Sequence, residues 1–198
     1  EASETCKTGA CVAAPAPGKV VINELVYDSA GPDTETFVEL RGPAGMALAG
    51  FTLRGVNGAD GKPYGSVALA GSVGSDGLFV VTHSKATGAV KAASDQASSA
   101  VDYQNGPDNV QLRWGDTVVD AVGYGTFGSG KTFAGETQAT VDVIAGHSLA
   151  RDDKGTDTDN NSKDFTDQAK PSPGAANPKP CTPKTCGAQN ALCGTVSD

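Results

Sequence analysis

Eight short segments in which apolar and polar residues alternate recur along the chain, and they constrain its fold more than any other feature. They are 19–27 (KVVINELVY), 36–40 (TFVEL), 48–55 (LAGFTLRG), 64–70 (YGSVALA), 77–83 (GLFVVTH), 109–114 (NVQLRW), 117–125 (TVVDAVGYG) and 146–151 (GHSLAR), each bounded by Gly, Pro, Asn or Asp. A period of two turns one face of a strand toward a core and the other away from it. The set therefore predicts an all-β fold, an antiparallel sandwich or barrel. The sequence WGDT (114–117) is a tight-turn signal that joins two of the strands as a hairpin. Residues 84–101 are Ala-rich but broken by Gly88 and by serines, which predicts a long loop with one helical turn. Phe37, Phe51, Leu53, Val80, Leu112, Val119 and Phe165 are expected to face inward.

Composition agrees with many short strands: 38% of the 198 residues are hydrophobic, 6% are aromatic, and Gly (26) and Pro (11) are scattered throughout. No apolar run approaches the roughly 20 residues of a membrane span, and the first residues lack the pattern of a signal peptide. The net charge is −8, and since the two ends cancel, residues 19–178 carry all of it. Such a surface repels a phosphate backbone, which argues against nucleic-acid binding through a basic patch and makes cations the favoured small partner.

The five cysteines, Cys6, Cys11, Cys181, Cys186 and Cys193, lie only at the two ends. Short Cys-bearing tails rich in Pro, Gly and Thr read as disulfide staples and point to an oxidising compartment, outside the cell or on its surface. The pairing stays open, and the odd count points to an intermolecular bond or to a partner beyond Asp198; the abrupt stop of CGTVSD favours the second. The expected organisation is a Cys-containing tail at 1–18, a β-sandwich at 19–178 and a truncated Cys-rich segment at 179–198.

Three motifs lead away from this reading and fail on context. GTFGSGKT (125–132) has the spacing of a phosphate loop, but the following FAGETQATVDVIAG has no helical periodicity, so no nucleotide is expected. GHSLA (146–150) ends in Ala150 where a nucleophile elbow needs Gly, and adjacent His147 and Ser148 point to opposite faces of a strand. Asp102, Asp108 and Asp120 are read as turn and surface residues.

Residues 152–167 hold six Asp and two Lys. Asp157, Asp159 and Asn161 alternate and Asp164 follows, a spacing that can converge oxygen ligands on Ca²⁺. Ser162 and Gln168 stand where an EF-hand needs Gly and Glu. The competing reading is a network of Asx turns without metal. Glu24, Glu39 and Arg151 sit among apolar neighbours, where a half-buried carboxylate pair answered by a guanidinium competes with ordinary solvated strand faces.

The ordered pieces NEL (23–25), FVEL (37–40) and SLAR…DTDNN..DF…PGAAN (148–177) resemble the bacterial lamin tail domain over residues 19–177. That resemblance implies an immunoglobulin-like β-sandwich with no catalytic role of its own, found in secreted or surface proteins beside nuclease, phosphoesterase or adhesive modules. CTPKTCGAQNALCGTVSD (181–198) is similar to the Cys-rich repeats of secreted myxobacterial proteins. The expected function is a non-catalytic extracellular or cell-surface module for binding, adhesion or assembly, stabilised by calcium if the acidic loop binds it. Its partner would be a protein, a surface ligand or another module of the same polypeptide. The alternative is an accessory or catalytic part of a secreted metal-dependent hydrolase, a nuclease or phosphoesterase.

Overall fold

The computed structural model describes residues 20–179 and, as backbone, two strands before them. Those are β1 (Glu4–Lys7) and β2 (Ala10–Ala13), an antiparallel pair with Cys6 opposite Cys11. Cys181, Cys186 and Cys193 lie outside the described residues. The eight expected strands are all present: β3 (Val21–Val26), β4 (Phe37–Arg41), β5 (Phe51–Val56), β6 (Pro63–Ala68), β7 (Leu78–His83), β9 (Asp108–Trp114), β10 (Thr117–Tyr124) and β11 (Ser148–Ala150). Two further short strands, β8 (Gln96–Ser98) and β12 (Thr166–Gln168), and two short helices, α1 (Gly88–Ala92) and α2 (Asn161–Asp164), complete the set.

The strands form a sandwich of a four-stranded sheet, β10-β9-β5-β6, and a six-stranded sheet, β12-β11-β3-β4-β7-β8. All pairs are antiparallel except β7 with β8. That exception follows from the stretch expected to be mostly loop: a parallel neighbour needs a crossover, and α1 lies within it. Trp114 pairs with Thr117 across a turn in which Gly115 has φ 55°, a conformation glycine adopts without steric cost.

Alternation fills the interior. Ile22, Leu25, Val38, Leu40, Phe79, Val81 and Leu149 from the larger sheet meet Phe51, Leu53, Val110, Leu112, Trp114 and Val122 from the smaller. Each such side chain contributes about 1.5–3 kcal/mol on burial. Tyr27 and Tyr124 stack across the sheets with centroids 4.2 Å apart. Phe51, Leu53, Leu112 and Phe165 are inward as expected. Phe37 and Val80 are buried on the other face: Val38 and Leu40 take the inner positions, so Phe37 packs outside with Val26 and Val80 beneath Val90 and Ala93. Val119 is half-buried and packs against the interior cluster, at a bulge between Val118 and Asp120.

The stretch 125–139 carries no helix and lies against the outer face of β9. Asn109 donates to the Thr132 carbonyl (3.1 Å) and accepts from the Ala134 amide (2.8 Å), while Gln111 donates to the Ala134 carbonyl (3.0 Å). Gly123 permits the close approach, since a Cβ there would lie 2.3 Å from the Phe133 ring.

Candidate functional site

Two polar clusters, one on each side of the six-stranded sheet, gather the residues with chemical capacity. The first is built on Arg151. Leu149 faces the interior, so Arg151, two residues on, turns the same way, and its side chain is fully buried at the edge of the core. Its Nε donates to the Ile22 carbonyl (2.8 Å), one terminal nitrogen to the Thr156 carbonyl (3.0 Å) and Asp157 (3.2 Å), and the other to Asp120 (3.1 Å). Asp164 lies 3.2 Å away, and the guanidinium sits 4.4 Å from the Phe165 ring centroid.

Asp120 is fully buried and accepts from the Ile22 amide (2.5 Å) and its own neighbour Ala121 (2.8 Å). Asp108 is also fully buried; it accepts from the Gly58 amide (2.7 Å) and is bonded by the Tyr64 hydroxyl. Both correct the expectation of surface carboxylates, and only Asp102 is exposed. The signal was in the alternation: Asp120 is in phase with Val122 and Tyr124, and Asp108 with Val110 and Leu112, all of them inward.

Glu136, which carried no sequence motif, joins this cluster. Carboxylate oxygens of Asp120, Glu136 and Asp157 lie within 4.8 Å of one another. Burial, then the charge of Asp120, pushes the Glu136 carboxyl up to about 8. Burial also raises Asp120, with Arg151 opposing. Asp164 goes the other way: burial works against its charge, but donors from Thr158 and Asn160 outweigh that and hold it low.

The four residues of the acidic loop are close in the fold but differently committed. Asn161 is fully buried: its Oδ1 accepts from the Gly123 (2.8 Å) and Glu136 (2.9 Å) amides, and its Nδ2 donates to the Ala121 carbonyl (2.7 Å). Asp164 accepts from the Thr158 hydroxyl (2.6 Å) and amide (2.9 Å). Asp157 accepts from the Asp159 amide (3.2 Å) and from Arg151. Asp159 is exposed with φ 54°, a left-handed turn that Asp tolerates. Two of them, Asp157 and Asp164, face Arg151 as their cation, and of the four only Asp157 belongs to the group with metal-ligand spacing.

The second cluster lies on the outer face, and the Arg151 guanidinium is not among its hydrogen-bond partners. Glu24 and Glu39 are paired in register on β3 and β4 and are both fully buried. Glu24 accepts from the Ser148 hydroxyl (2.6 Å) and from the Ser172 amide (3.0 Å) and hydroxyl (3.1 Å). Glu39 accepts from Asn23 Nδ2 (2.7 Å) and the Gly174 amide (2.8 Å). Asn177 donates to the carbonyls of Asn23 (3.2 Å) and Arg151 (3.0 Å). The expected trio of Glu24, Glu39 and Arg151 is thus divided by the sheet, because Ser148 shares the face of Glu24 while Leu149 and Arg151 take the other. Burial raises both carboxyls, Glu39 to about 7.

His147 bonds Asp167 (2.7 Å) while Ser148 bonds Glu24, so the two form no nucleophile–base pair. A cleft of about 680 Å³ between the acidic loop and β12 is lined by Asp152, Thr158, Lys163 and Asp167, with Arg151 and Asp164 in its wall. Comparison with models of protein families, with curated proteins and with solved structures found no match.

Proposed function

We propose that this chain is a non-catalytic module of the lamin-tail type, acting outside the cell or at its surface in binding, adhesion or assembly. One observation carries the reading: the groups with chemical capacity are engaged in holding the sandwich together. Arg151 alone bonds residues from β3, β10 and the acidic loop. The sequence pieces behind the resemblance meet in the outer-face network, where Asn23, Glu24, Glu39 and Ser148 are bonded to one another or to Ser172, Gly174 and Asn177 of the segment 169–177. Buried polar groups satisfied in this way specify structure.

The bonding of the 152–164 loop supports the turn-network role for it, with Asp152 also accepting from the Thr156 amide (2.8 Å) and hydroxyl (2.7 Å). No helix among the described residues is long and apolar enough to cross a membrane. The partner in this reading is a protein, a surface ligand or a neighbouring module, and the cleft beside β12 is one surface for it.

A metal-dependent hydrolase is the second reading, favoured by the Asp120, Glu136 and Asp157 spacing. Screening nuclease, phosphoesterase and glycosidase substrates with added Ca²⁺, Mg²⁺ and Zn²⁺ separates the two. The module reading expects no turnover; metal-dependent turnover abolished by Asp157→Ala would replace it with the hydrolase.

A further inference from the structure

The strap of residues 169–177 crosses the outer face of β3 and β4 and is held there by two carboxylates that have no cation. None of the hydrogen bonds to Glu24 or Glu39 comes from Lys, Arg or His. The strap's only two backbone amides between Lys170 and Ala175, those of Ser172 and Gly174, point at these carboxylates, since Pro171 and Pro173 have none. Two full negative charges side by side in a buried site are unfavourable, and one proton relieves them.

We propose that the strap is a pH-sensitive latch, closed while one proton is held on the Glu24–Glu39 pair and loosened when that proton leaves.

The two carboxyls are not equivalent. Glu24 takes several donors from Ser148, Ser172 and Gln168, which favour its charge, whereas Glu39 takes two. The proton therefore resides on Glu39, in accord with its rise to about 7. A protonated Glu39 needs an acceptor, and one stands ready. Asn23 is fully buried and its Oδ1 has no partner, while its Nδ2 bonds Glu39. Turning over the Asn23 amide presents Oδ1 to the Glu39 hydroxyl, so that the oxygen and the hydroxyl each gain a partner while Nδ2 gives up its bond to Glu39.

The other charged groups around the site leave the sign unchanged. Asp76, before β7, further raises Glu39; Asp95, after α1, lines the same cleft of about 300 Å³ that reaches Gly174. Arg41 lies two positions along β4 on the Glu39 face, Lys170 is exposed on the strap, and the His147–Asp167 pair lies on the β11–β12 side near Gln168. Because the closed site favours the protonated form, the latch is tightest below about pH 4.5, loosens as pH rises from there through about 7 and changes no further above that.

Hydrogen exchange read by NMR tests this on the full chain. Protection factors of the Ser172 and Gly174 amides, corrected for intrinsic exchange, are measured from pH 5.5 to 8.5 beside those of Val38 and Leu40. The expected result is a fall at Ser172 and Gly174 approaching about tenfold per pH unit below the midpoint near 7, the limit for one linked proton, levelling off above it. Glu39→Gln, neutral and of the same shape, should hold protection flat. Protection independent of pH in the wild type, or an equal fall in the variant, overturns the latch. If the variant does not fold, the wild-type Glu39 carboxyl ¹³C titration decides: a midpoint at the pH where the loss at Gly174 levels off supports the proposal, and a different midpoint overturns it.

Discussion

Replacing Asp120 by Asn removes one charge from the Arg151 cluster while keeping the side chain's shape. Breaking a buried ion pair by deleting one partner costs about 3–5 kcal/mol when the other charge is left alone. Here Arg151 keeps Asp157 and Asp164 at 3.2 Å, and its Nε bond to Ile22, so it is not stranded. The Asn oxygen also retains one acceptor for the Ile22 or Ala121 amide, both of which Asp120 now satisfies. These two compensations place the expected loss at about 2–3 kcal/mol. For a domain of this size that lowers the melting point by about 5–10 °C. Urea unfolding of Asp120→Asn, Arg151→Gln and the double variant gives the coupling directly, expected at about 1–3 kcal/mol for groups sharing one network. A loss below about 0.5 kcal/mol, or strictly additive single effects, would refute the view that this cluster joins the two sheets.

Glu136, raised to about 8 from an ordinary 4.5, stabilises the fold fully below pH 4.5 and loses that contribution as pH rises through 8. The urea midpoint should therefore decline from pH 5 to 9, and Glu136→Gln should flatten the decline; an unchanged slope removes Glu136 as its cause. Under the turn-network reading the melting point is the same in Ca²⁺ and in EGTA, after stripping of tightly held metal. A calcium site at about 100 times its dissociation constant would instead add about 2.7 kcal/mol, or about 5–10 °C, and Asp159→Ala would abolish it. Gly123→Ala puts a Cβ 2.3 Å from the Phe133 ring and 2.9 Å from Asn109 Oδ1. It should cost about 1–3 kcal/mol and deprotect the Ala134 amide, measurable by thermal melting and hydrogen exchange.

The eight expected strands and the Trp114–Thr117 hairpin could be read in advance because period-two alternation and turn chemistry are local properties of the chain. The same alternation carried more than the first reading took from it: the phase of Arg151 with Leu149, and of Asp120 with Val122, already set which way each side chain turns. It could not say what each would meet there. Asp120 and Arg151 come from different sheets, and Glu136 and Asn161 reach them from segments with no period at all. Nor does alternation say what covers the second face of a sheet: it assigns Phe37 and Val80 to the interior and leaves Glu24 and Glu39 between half-buried and solvated, whereas α1 and the 169–177 strap close over all four on the outer face. β8 (QAS) and β12 (TDQ) have no apolar pattern to announce them. They are strands only because β7 and β11 offer unpaired backbone groups at an edge, and that is a property of the assembled sheet.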